Sequence, residues 1–73
     1  MEKVKRDFLL KIQKRLQENI WDLEVDMRFL ERQKISRPNR LEEIQNAINN
    51  AKTQKEIFRE KIELIDDILK EDK

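Results

Sequence analysis

Ile35-Ser36-Arg37-Pro38-Asn39-Arg40 is the one interruption in an otherwise helix-forming sequence of 73 residues that holds a single proline and no glycine. A proline lacks the backbone N–H, and its ring clashes with the preceding turn. A helix arriving from the N-terminal side therefore stops before Pro38, and Arg37 is pushed towards extended geometry. A second helix can begin here, either with Pro38 in its first turn or with Asn39 as N-cap. The latter puts Glu42 at the third helical position, the spacing of a capping box. On both sides the chain is built from Lys, Glu, Arg, Leu, Ile and Gln, all strong helix formers. The sequence thus predicts an all-α chain forming one domain over 1–73. The first helix covers about 3–35, a loop about 36–39, and the second helix about 39–71. Each helix is then about 50 Å long at 1.5 Å per residue, and so short a connection makes the two antiparallel neighbours.

The apolar spacing gives the register. Leu41, Ile44, Ile48, Ala51, Phe58, Ile62, Ile65 and Leu69 form a heptad stripe on the second helix, broken at Lys55. The first helix carries Leu9, Ile12, Leu16, Ile20, Leu23, Met27 and Leu30. Its consecutive steps of four near Leu16–Ile20 interrupt the heptad and should locally unwind the supercoil. The stripes mirror each other about residue 37. Leu30 faces Ile44, Leu23 faces Ala51, Leu16 faces Phe58, Ile12 faces Ile62 and Leu9 faces Ile65. Folding at Ser36–Arg37 zips one seam along the whole length. Asn19 and Lys55 fall opposite each other as a polar layer. Such a layer costs stability and can fix register. The Lys55 ammonium is expected either to snorkel outwards along its methylenes or to meet Asp22 or Glu18. Arg6 and Asp66 flank the seam closely enough to pair.

Composition excludes much of catalysis. There is no Cys and no His, so thiol and imidazole nucleophile–base pairs, disulfides and the usual zinc ligands are absent from the sequence. No Gly-rich phosphate loop exists. The longest apolar run is Phe8-Leu9-Leu10, far short of the roughly 18 residues of a membrane span. No leader-like segment follows the start, and the expected location is cytoplasmic. Glu18, Asp22, Glu24 and Asp26 form a carboxylate run, but without His it reads as a solvated face rather than a metal site. No enzyme activity, metal or cofactor is expected. Disorder is also disfavoured: 17 basic residues balance 16 acidic ones, whereas disordered chains combine high net charge with few large apolar residues.

One seam does not use up the apolar residues. Ile57, Leu64 and Ile68, with Ala47 further up, lie beside it on the second helix. Val4, Phe8, Val25 and Phe29 lie on the matching side of the first, with Trp21 one position round. In an antiparallel pair Phe8 neighbours Ile68, and Phe29 neighbours Ala47. The strip is interrupted midway by Arg15, Lys61, Asp22 and Gln54. Two helices supply no third layer to cover it, and an exposed patch of that kind marks an interface. A chain this short also rarely gains enough stability from one core. The expected fold is therefore an antiparallel, coiled-coil-like two-helix hairpin that dimerises into a four-helix bundle. In an antiparallel dimer each end of the strip covers the opposite end of its partner.

Charge is blocky along the chain. A second feature is the basic apex of Arg28, Arg32, Lys34, Arg37 and Arg40, which could dock an anionic partner. The function expected is that of a non-enzymatic protein–protein interaction module: a small adaptor, inhibitor, chaperone-like or regulatory subunit. Its partner is a second copy or another helical protein. The alternative is a nucleic-acid-binding hairpin dimer like the small plasmid RNA-regulating protein Rop, an analogy of shape carried by no shared motif. A structural spacer is a further alternative.

Overall fold

The computed structural model describes residues 2–71 and is helical throughout apart from Glu2 and Arg37. Helix α1 spans Lys3–Ser36, a 3₁₀ turn spans Pro38–Arg40, and helix α2 spans Leu41–Glu71. The two long helices pack against each other as an antiparallel hairpin of 54 × 14 × 11 Å.

The apex is as tight as the proline allows. The Arg37 N–H donates to the Gln33 carbonyl at 2.8 Å and closes α1. Arg37 itself has φ −134° and ψ 69°, outside the helical region, as expected of a residue before proline. Pro38 then opens the 3₁₀ turn, where its missing N–H costs nothing. The Arg40 N–H donates to the Arg37 carbonyl at 3.1 Å, and α2 runs on without a break. The Asn39 capping box does not form. Asn39 lies inside the 3₁₀ turn, and no side chain caps its start. Glu42 and Glu43 instead occupy the first turn of α2, where carboxylates favour the positive end of the helix dipole. Glu43 is held by Arg40 at 2.9 Å.

The seam between the helices is thin. Its buried side chains are Leu16 and Ile20 from α1 and Ile44, Ile48, Ala51 and Ile65 from α2, with Ile48 the deepest at 1% exposure. The other stripe residues are half-buried, apart from Leu41, which is exposed near the apex.

Among the described residues two side-chain pairs cross the seam, and they follow one geometric rule. Gln13 donates through Nε2 to the Ile62 carbonyl at 3.1 Å and to Asp66 Oδ1 at 2.7 Å. Lys55 Nζ meets Glu24 Oε1 at 3.1 Å. In both side-chain pairs the α2 residue lies five positions further from the apex than the mirror position of its α1 partner. The cause is the tilt of Cα–Cβ bonds towards each helix's own N-terminus. Side chains of α1 lean away from the apex and those of α2 lean towards it, so long side chains meet across that offset. This corrects two expectations. Asp66 is taken by Gln13 and forms no pair with Arg6. Lys55 finds Glu24, not Asp22 or Glu18.

The Lys55 side chain is largely buried while Glu24 is half exposed. A pair of that kind is worth about 0–1 kcal/mol, less than an apolar side chain gains in the same seam position. Lys55→Leu is therefore expected to raise the thermal midpoint by about 4–8 °C, the shift that about 1 kcal/mol gives in a domain of this size. A lower midpoint on thermal unfolding would show that the Lys55–Glu24 pair outweighs apolar packing.

Candidate functional site

The hairpin has two unlike flanks, and helical geometry explains which residues fall on each. One residue turns the helix by about 100°. Residues one step before a seam position therefore lie on one flank, and those one step after lie on the other. Because the helices are antiparallel, the preceding positions of both fall on the same flank. Gln13, Glu24 and Asp66 each follow a seam residue, so the polar clasps close that flank. Shallow grooves there are lined by Glu24, Arg28, Glu31 and Lys55, and by Gln17, Arg59 and Glu63 among others.

The opposite flank is open and apolar. Val4 and Phe8 of α1 lie towards its base with Leu64 and Ile68 of α2, Ile57 lies midway along it, and Phe29 lies near its apex. Phe8 and Phe29 are each 60% exposed and Leu64 is 59% exposed. Val4 and Ile57 are also exposed, whereas Ile68 is half-buried. Phe29 and Ala47 line one groove at the apical end, together with Leu30, Gln33 and Ile44, which places them as neighbours.

Two members of the expected strip stand elsewhere. Trp21 follows the seam residue Ile20, so it turns away from the open flank. Val25 falls midway between Leu23 and Met27 and so lies on the back of α1. Steps of four advance about 40° round a helix, so the line Trp21, Val25, Phe29 winds from the back of α1 onto the open flank. Both Trp21 and Val25 are exposed. Val25 and Phe29 share a shallow depression with Arg28 and Arg32. The sequence showed the four-residue spacing, but the heptad break hid which flank Trp21 belongs to.

The basic apex is dispersed and partly neutralised. Lys34 lies 3.7 Å from Glu31, and Arg40 lies 2.9 Å from Glu43. Arg28 and Arg32 are on α1 and Arg37 is at the turn, all three exposed. Among the described residues these three make no ion pair. In the carboxylate run, Glu24 is committed to Lys55, while Glu18, Asp22 and Asp26 are exposed. Among the described residues no three His, Cys, Asp or Glu side chains converge as metal ligands, and no helix is long and apolar enough to cross a membrane. In comparisons with known proteins, no family model, no curated protein and no solved structure matches the chain.

Proposed function

We propose that this chain is a non-enzymatic interaction module that uses the open flank of its hairpin to take up helices of another polypeptide, completing a four-helix bundle. The observation that carries the reading is the asymmetry of the two flanks. One is bridged by Gln13–Asp66 and Glu24–Lys55, and the other leaves Phe8, Phe29 and Leu64 more than half exposed. Polar side chains solvate the first flank without cost. The second keeps large apolar surface in water, and each large side chain removed from water gains about 1.5–3 kcal/mol. The module acts as an adaptor, inhibitor, chaperone-like or regulatory subunit, since binding is the task its open flank supports.

The test is the mass of the protein, isolated from its own host, measured by light scattering at low and high salt. An assembly with itself or with another helical chain that persists at high salt is expected, because apolar packing does not weaken with ionic strength as phosphate contacts do. A nucleic-acid complex that salt dissolves would favour the Rop-like alternative. A monomer with nothing bound at either salt would overturn the proposal. The apex supplies a control. Arg37→Glu with Arg40→Glu is expected to leave mass and helicity unchanged. Both residues are exposed at the turn, and the Arg40–Glu43 pair that the variant loses is a surface pair worth about 0–1 kcal/mol. Loss of partner binding in that variant would place the anionic-partner site at the apex.

A further inference from the structure

The open flank of α1 carries a pattern that names its own occupant. Read from the base, the positions preceding the seam include Phe8, Lys11 and Arg15, then Asn19, then Asp22, Asp26 and Phe29. The order is palindromic in shape and opposite in charge about a point between Glu18 and Asn19. Arg15 and Asp22 are equidistant from that point, as are Lys11 and Asp26, and as are Phe8 and Phe29. A single helix cannot satisfy these pairs, because the members of each lie seven or more residues apart along it. Among the described residues, none of the four charged groups makes an ion pair.

We infer that the open flank is covered by a second copy of this chain, packed antiparallel about a two-fold axis at the Glu18–Asn19 level. The inference rests on the proposed role of the flank as an interaction surface and specifies who occupies it and in what register. In this arrangement α1 lies over the partner's α1 with its direction reversed. The Arg15 guanidinium of each copy meets Asp22 of the other, Lys11 meets Asp26, and Phe8 packs on Phe29. The same axis sets α2 over α2, so Leu64 of each copy is covered by α2 of the other. The symmetry is isologous, so every favourable pair occurs twice. A parallel dimer, with its axis along the bundle, puts α1 over α2 instead and separates Arg15 from Asp22 and Lys11 from Asp26. The loss of these opposite-charge pairs disfavours that register.

Charge reversal separates the two registers. Arg15→Asp and Asp22→Arg are each expected to weaken the dimer by roughly tenfold or more, because the axis repeats each mismatch. Mixing the two variants is expected to restore a one-to-one heterodimer, since each chain then carries the charge that the other lacks. All four groups involved are exposed in the hairpin, so the fold of a single chain does not depend on them. A second readout is independent of charge. The chain has no cysteine, so Asn19→Cys with a short bis-maleimide cross-linker, which adds one thiol at each end, reports whether the two α1 midpoints are adjacent. Efficient cross-linking to a dimer is expected for the antiparallel register. If Arg15→Asp does not weaken the dimer and Asn19→Cys does not cross-link, the antiparallel register is excluded and the inference fails, with the interaction role intact. If the wild-type chain is monomeric but binds a different helical chain, the second copy is excluded as occupant and the interaction role again stands. If it binds nothing, both fall.

Discussion

Replacing Phe8 and Leu64 together by lysine is expected to give a monomer that has lost most of its helicity. Both side chains are more than half exposed in the hairpin, so a folded, self-sufficient monomer would tolerate the change at a cost within about 0.5 kcal/mol, as ordinary surface substitutions do. The proposed bundle does not tolerate it. In the antiparallel register Phe8 sits on Phe29 and Leu64 against α2 of the other copy, and each substitution enters the interface twice. Four lysines would have to be buried among apolar groups or exposed by dissociation, and dissociation is cheaper. The released hairpin keeps only the thin seam between α1 and α2. Chains of this size rarely gain more than about 3–5 kcal/mol from one core, so helicity falls with association. Circular dichroism and sedimentation of the same sample read both effects. Retained helicity and an unchanged mass would show that the open flank is ordinary surface. Phe8 and Leu64 are the informative pair because Ile68, though on the same flank, is half-buried in the hairpin itself.

Ile48→Ala carries the other large effect. Ile48 is 1% exposed and lies in the seam at the level of Met27. Truncating a buried Ile to Ala costs about 2–5 kcal/mol through lost burial and the cavity left behind. That is comparable to everything one small core supplies, so the variant is expected to be largely unfolded at ambient temperature. Ile35→Ala, the same substitution at a site 85% exposed, is expected to leave the melting curve unchanged. Equal effects at the two sites, read by thermal unfolding, would mean that the seam does not hold the hairpin together.

The fold was legible because each local signal agreed with the others. Pro38 stops one helix and starts the next, and the mirror relation of the two stripes fixes which residues share a level. The mirror gives position along the axis but says nothing of the direction in which side chains lean. That is why Lys55 was matched to carboxylates at its own level, whereas it meets Glu24, and why the Gln13–Asp66 clasp went unseen. Asn39 had the right type and spacing for a cap, but the proline before it favoured a 3₁₀ turn whose backbone bond from Arg40 to Arg37 takes the capping role. For the open flank, the surplus of apolar residues beyond one seam was legible in the sequence. The division of Trp21 and Val25 from Phe8 and Phe29 was not, since the run of fours in α1 shifts the angular phase midway along the helix. The reversed charge order of Lys11 and Arg15 against Asp22 and Asp26 is present in the sequence. It acquires meaning once the polar clasps show which flank is closed.

The antiparallel dimer stands or falls on whether the open flank is covered by a second copy. Sedimentation equilibrium over a concentration series, with thermal unfolding of the same samples, is the direct measurement. The expected result is a dimer whose melting temperature rises with protein concentration, because folding and association are linked by mass action. A fully helical monomer that melts at the same temperature at every concentration would contradict it.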